Sequence, residues 1–464
     1  MRPQDLVEAA LELTTADGAM VIAQESSTAN LRWASNTLTT NGVARSREVA
    51  VIACVDGAQG TATGVLSRSN PDRAQLADLV RAAEAAARGG EPAEDALPLV
   101  EKTEAGPSED WDANPGSTSI AVFADLAAGL GEAFGRARGD DRLLFGFAEH
   151  DVSTVFLGTS TGLRLRHTQP TGRLEINGKS ADYARSAWAG AATRDFTDID
   201  VATLDSSLTE RLRWAQRQIA LDAGRYETVL PPTAVADLMI NAYWSATGRD
   251  SAEGRTVFSA PSGRTRLGEQ LTPAPVTLRS DPAAPGLQCC PFALTTASGS
   301  TASVFDNGLA VPGVDWISNG ALTNLIHTRW TAREFGGTNG ATPAADNLVM
   351  SSAAPTGSLQ DLIARTSRGL LLTCLWYIRE VDPQTLLLTG LTRDGVYLVE
   401  NGEVTGAVNN FRFNESPVDL LRRLVEVGDT VPTLPREWGD WFTRAAMPAV
   451  RVDGFNMSSV SAAQ

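Results

Sequence analysis

GLLLTCLWYIREVDPQTLLLTGLTRDGVYLVENGEVTGAVNNFRFNES, residues 369–416, is the stretch that decides the fold class. Leu370–Ile378 and Thr385–Thr392 are rich in leucine, β-branched and aromatic residues, and Asp382-Pro383 punctuates between them. Arg393-Asp394-Gly395 reads as a tight turn. Val396–Glu400 and Glu403–Val408 flank Asn401-Gly402, the pair that a type I′ hairpin requires because both central residues need positive φ. The spacing predicts four strands in sequential antiparallel order, a sheet able to carry the core of a domain.

Working outward, the 464 residues exceed what one domain usually needs and suit two or three. Hydrophobic content of 43% and charged content of 20% are those of a soluble globular chain. A net charge of −16 argues against nucleic-acid binding, since phosphate recognition needs a basic face. Four cysteines, two of them adjacent at Cys289 and Cys290, make no disulfide framework. The start of the sequence, MRPQDLVEAALEL, reads as an amphipathic helix rather than a signal segment, and no apolar run is long enough to span a bilayer. The expected location is the cytoplasm.

Toward the N-terminus, helical spacing at Asp5–Leu13 is followed by short strand-like runs and a second helix, Asp72–Arg88, stopped by Gly89-Gly90. Residues 1–90 are expected to form an N-terminal α+β domain, and the Pro/Gly/acid-rich residues 91–118 a linker. Residues 119–222 then read as a middle α+β segment, with helices at Ser119–Ala137 and Val201–Leu221 around short strands. The last unit, 223–464, is β-rich, with a helix at 233–247 behind Pro231-Pro232, another at Pro417–Gly428 and a tail, MPAVRVDGFNMSS, that alternates like a strand. The fold class expected is α+β. An N-terminal α/β sandwich-like domain is followed by a larger β-rich domain with a mixed or antiparallel sheet and flanking helices.

The run from Trp376 to Ser416 resembles the C-terminal domain of the TldD/TldE (PmbA) peptidase family. So does NGALTNLIHTRWTAREFGGTNG, residues 319–340, where that family has a strand, an Asn-Gly turn, a helix and a Gly/Thr-rich turn. The family contains a zinc-bearing subunit, with His-Glu-x-x-x-His on a helix of this domain, and a metal-free one. Such a zinc site needs neutral imidazoles as ligands and a carboxylate base beside the bound water. In VLPPTAVADLMINAYWSATGRD the matching slots hold Ile240, Asn241 and Ser245, none of which can replace His, Glu and His. No histidine lies between His167 and His327, so a shifted register does not restore the motif.

The resemblance therefore implies a TldE-like chain with no catalytic, cofactor-binding or metal-binding residue of its own, inactive when alone. Its expected partner is a TldD-like zinc-bearing subunit that supplies the metal and the glutamate base. The pair is expected to act on unfolded peptides or peptide leaders in an enclosed chamber. This chain would contribute walls and a sheet edge along which an extended peptide adds as a strand. Two readings from other classes stay open: a regulatory or scaffolding protein of the gyrase-modulator kind, and a stand-alone enzyme using hydroxyls, Asn241 or a cysteine.

Other motifs carry bland readings. His150, His167 and His327 are spread too far apart in sequence to include the close pair usual in a catalytic zinc site. Gly158–Gly162 matches Gly-x-Ser-x-Gly by letter, but both flanks are strand-like, so it reads as a hairpin turn. Gly172–Ser180 lacks the first glycine of a P-loop and reads as strand. Cys374 sits inside strand sequence as a small hydrophobe, with no histidine near it or near Cys289 and Cys290 in sequence. The loop Gly248–Gly268, with Arg249, Arg255, Arg264 and Arg266, is expected to lack secondary structure and to be either solvated or a chamber or partner wall.

Overall fold

The computed structural model describes every residue except 338, 463 and 464. The amphipathic and period-two patterns of the N-terminal half become α1 (Pro3–Leu13), β1 (Gly18–Ala34), β2 (Thr37–Gly57), β3 (Gly60–Ser69) and α2 (Arg73–Gly89). They continue, after a long crossing, as α3 (Ala124–Gly139), β4 (Arg142–Thr159), β5 (Arg164–Ser180), β6 (Ser186–Thr193) and α4 (Val201–Trp214). All six strands lie in one antiparallel sheet in the order β3-β2-β1-β4-β5-β6. β1 joins its two halves, Val21 pairing with Val51 on β2 and with Gly158 on β4.

That pairing corrects the expected division into a 1–90 domain and a 119–222 segment, which are parts of one sheet. Residues 91–118 are not a loose linker either. Their composition is polar, but Val100 is buried, Trp111 meets the Phe156 ring edge-on at 5.5 Å, and Glu109 pairs with Arg166.

The sheet has two covered faces. Val21, Ala23, Ala29, Leu31 and Trp33 of β1 point to the helix layer, while Met20 and Ile22 point away, toward Phe292, Val304 and Phe305 of the C-terminal half. The two halves therefore share a core. α1 and α2 are locked by Glu84, which accepts from the Thr15 N–H and hydroxyl and from the Thr14 hydroxyl, and pairs with Arg88.

Among the described residues, the C-terminal half is a mixed sheet of fourteen strands around Ala445–Val460. This tail strand pairs with Gly224–Leu230, Phe411–Glu415 and Leu424–Thr433 in antiparallel sense, and with Leu348–Ser352 in parallel sense. Asn319 and Gly320, both at positive φ, turn Val314–Ser318 back onto Ala321–Leu322, and a helix follows at Arg329–Phe335. The Gly/Thr-rich turn after it includes residue 338, which lies outside the described residues.

The Asn401-Gly402 hairpin forms with both residues at positive φ (53° and 81°), joining Val396–Glu400 to Glu403–Val408. The expected sequential order of four strands does not form. The first breaks at Thr373-Cys374 into Arg368–Leu372, which pairs with Val396–Glu400 and Gly224–Leu230, and Leu375–Asp382, which pairs with Leu387–Thr392. Leu387–Thr392 then turns to Phe411–Glu415 instead of to its sequence neighbour. The residues on either side of the break, Leu370 to Leu375, are buried without interruption, which hides the change of partner.

The Glu84 lock has a pH signature. Burial works to raise its carboxyl, but the donors from Thr15, Thr14 and Arg88 outweigh it and hold it down to about 2, against 4.5 for a free side chain. A folded pKa below the unfolded one stabilises fully above about 4.5, and that contribution is lost as pH falls toward about 2. Thermal unfolding of Glu84→Gln should show a lower Tm than the parent at neutral pH, with the gap closing as pH falls through that window.

Candidate functional site

The helix expected at 233–247 forms as α5 (Pro232–Trp244), opened by Pro231-Pro232 and packed against Ala445–Val460. Nine of its residues, from Ala234 to Tyr243, are buried, so it is apolar around nearly its whole girth. Ile240 lies in the main C-terminal core. Asn241 donates its amide N–H to the Asp237 carbonyl at 2.8 Å, and the Ser245 hydroxyl donates to the Asn241 carbonyl at 2.9 Å. The three slot residues are thus committed to core packing and to the helix's own backbone. A zinc ion does not fit them: an alkyl group, an amide and a hydroxyl engaged in this way offer no imidazole or carboxylate ligand.

The one carboxylate on α5, Asp237, is fully buried. Its two oxygens accept the backbone N–H groups of Arg436 (3.2 Å) and Glu437 (2.9 Å), and its carbonyl accepts from the Trp438 indole. Desolvation pushes the Asp237 carboxyl well above the usual range, against the pull of these N–H donors. Asp237 therefore pins the loop that carries Arg436, Glu437, Trp438 and Trp441. Trp438 meets Trp244 at 5.1 Å and Trp441 at 6.4 Å. Trp441 is 71% exposed and Trp244, Tyr377 and Val381 are exposed too, so apolar surface gathers at the C-terminal end of α5.

Beside it lies a cavity of about 270 Å³ lined by Trp244, Ser245, Thr247, Asp250, Glu380 and Arg255, among others. The adjacent edge strand Leu375–Asp382 is capped: both Glu437 oxygens accept from the Tyr377 and Ile378 amides at 3.1 Å, and Tyr377 bulges at φ 51°. Strand addition is blocked at that end of the edge.

Gly248–Gly268 is not structureless, contrary to expectation. It contains a short helix, Gly248–Ala252, and a small ladder, Ser259–Ala260 with Arg264–Thr265. Arg249 pairs with Glu94 and Glu253 and stacks on Trp330, Arg255 pairs with Asp250 and Glu253, and Arg266 pairs with Glu269. These cations are spent within the loop and its neighbours. Gly248 is required, since a Cβ there would stand 1.9 Å from the His327 ring.

The remaining candidates sit where their bland readings place them. His150 bonds Thr118 at 2.6 Å and the Arg194 carbonyl at 2.9 Å, and His167 bonds Gln169 at 3.0 Å. His327 is buried against Gly248, and desolvation lowers its pKa. Among the described residues, no three His, Cys, Asp or Glu side chains are grouped to hold a metal ion. Burial pushes the Cys374, Cys54 and Cys290 thiols up to about 12 and Cys289 up to about 11, away from the thiolate form. Gly158–Gly162 turns β4 into β5, and Gly172–Ser180 is part of β5. Among the described residues no helix is long and apolar enough to cross a membrane.

No motif in the sequence marks Asp237, Glu437 or the tryptophan loop. One signal was present: an aspartate inside the apolar run AVADLMI has nowhere to go but into the core with its own donors.

Comparison with known proteins places these features in a family. The PmbA/TldA metallopeptidase C-terminal domain matches residues 223–459, and PmbA/TldA metallopeptidase domain 1 matches residues 19–87. Among solved structures, TldE from Thermococcus kodakarensis superposes with a TM-score of 0.78 at 16% identity, covering 98% of this chain and 99% of that one. A candidate modulator of a DNA gyrase from Thermotoga maritima gives 0.77 at 18% identity, covering 98% and 99%. Another from Bacteroides thetaiotaomicron gives 0.75 at 18%, covering 99% and 98%. At these identities the structures show a shared fold. No curated protein matches the sequence.

Replacing Asp237 by alanine should leave two buried N–H groups without acceptors and cost roughly 2–4 kcal/mol. Urea unfolding should register that loss, and near-UV circular dichroism should show the tryptophans of the 436–441 loop released.

Proposed function

The chain belongs to the PmbA/TldD metallopeptidase family, and from that premise we propose that it is a TldE-like, metal-free subunit of a two-chain zinc metallopeptidase. The observation that carries this reading is the filled helix: where the zinc-bearing subunit would present His-Glu-x-x-x-His, α5 presents Ile240 to the core and closes Asn241 and Ser245 on its own backbone. A chain built so leaves the metal and the general base to a partner. The raised thiols and the self-bonded Asn241 amide give no support to an independent chemistry in their place.

What this chain brings is surface. Trp244, Trp438 and Trp441, held by Asp237, form a rigid aromatic wall next to the blank slot. Aromatic rings offer large contact area with little side-chain entropy to lose, which suits a wall that meets varied unfolded peptides or a partner chain. The substrate class and the heterodimer come from the family resemblance and are part of the proposal.

The test is reconstitution. The isolated chain should cleave unfolded peptides no faster than buffer, and an equimolar mixture with a His-Glu-x-x-x-His subunit should cleave them in a chelator-sensitive manner. Trp441→Ala, a change at an exposed position, should lower the activity of the mixture without changing the Tm of this chain. Robust cleavage by the isolated chain contradicts the proposal.

A further inference from the structure

β2 pairs with β1 from Thr37 to Cys54, but β3 covers its other side only from Glu48 to Gly57. Among the described residues no backbone pairing reaches the outer side of Thr37–Ser46. Proteins usually blunt such edges with lysine, proline, inward-pointing charges, bulges or cover. This one, TLTTNGVARS, contains no proline, lysine or acid, and its single charge is Arg45. Its one irregularity lies opposite Arg32 and Trp33, close to the β1–β2 turn. The capped edge at Tyr377 and Ile378 shows how the same chain protects an edge elsewhere.

A second observation concerns the face. Leu38 and Val43 stand opposite Trp33 and Ala29, so they point to the helix side, where Trp33 and Ala29 are buried beneath α3 and its neighbours. The helix layer stops before covering them: Leu38 is 45% exposed and Val43 51%. Ile120, 41% exposed, belongs to the short turn Ile120–Phe123 that packs on β1 and β2. An unpaired backbone row and an uncovered apolar strip therefore coincide.

We propose that Thr37–Ser46 is an interface between two copies of this chain, paired antiparallel about a two-fold axis perpendicular to the sheet. A two-fold through Gly42 sets Arg45 against Thr39 and opposes no like charges. With a net charge of −16 two copies repel over much of their surface, and this acid-free edge is where they can approach. The axis keeps both helix layers on one side, so Leu38, Val43 and Ile120 of one copy come beside those of the other. A free peptide would satisfy the backbone row and leave the apolar strip bare; a second copy answers both, and the contact is isologous. The inference does not rest on the subunit role proposed above.

Sedimentation velocity and hydrogen exchange on the full chain test it. The expected result is a concentration-dependent dimer whose amides in 37–46 exchange more slowly than in the diluted monomer. Val43→Lys and Leu38→Lys, both at exposed positions, should each weaken the dimer about tenfold or more with unchanged far-UV circular dichroism. A monomer at every concentration overturns the proposal. So does a dimer indifferent to both variants with the edge amides unprotected. Protection that appears only on adding a zinc-bearing family member or a peptide, with this chain otherwise monomeric, also overturns it and gives the edge to that occupant.

Discussion

Backbone pairing along Ala445–Val460 is the constraint on which the C-terminal half depends. This strand of sixteen residues takes partners that begin at Gly224, Leu348, Phe411 and Leu424, so one register fixes four others. Its side chains from Ala445 to Val450, with Val452, Phe455 and Met457, are all buried. From Val450 to Met457 the buried residues alternate with Arg451, Asp453 and Asn456, so a slip by one residue would turn polar groups into the core, which is why the strand specifies its register strongly. α5 is laid against the same strand, so the position of the blank slot follows from the sheet rather than from the helix itself.

The character of α5 follows in turn. A helix that carries metal ligands needs one polar side turned to a cavity. This one is packed on nearly all sides, and its only carboxylate is used internally, to hold a loop in place through two N–H bonds. The price of burying Asp237 is offset because both oxygens are satisfied, and the return is a tryptophan wall in fixed orientation. From Asp237 the constraint passes through Glu437 to the Tyr377 and Ile378 amides, so helix, loop and edge strand form one connected unit.

Local chemistry was legible in the sequence, and long-range pairing was not. The Asn401-Gly402 turn could be read because its φ requirement belongs to two residues alone, and the α5 boundaries because Pro231-Pro232 marks a helix start. The break at Thr373-Cys374 was invisible, since Leu370 to Leu375 are buried without interruption and no alternation marks the change of neighbour there. The unity of the six-stranded sheet was hidden by residues 91–118, whose polar composition mimics a linker although Val100 and Trp111 anchor it. Of the site, the empty slot at Ile240, Asn241 and Ser245 was readable by letter, while the aromatic wall beside it depends on contacts between residues some two hundred positions apart in sequence.

We propose that this chain reaches its family's fold without a metal centre of its own. The most direct test is the metal content of the full chain, purified in zinc-supplemented buffer and freed of loosely held ions by gel filtration, measured by plasma mass spectrometry. Zinc far below one equivalent and a Tm that chelator leaves unchanged are expected. One tightly held zinc per chain, with a Tm that falls when it is stripped, would contradict it.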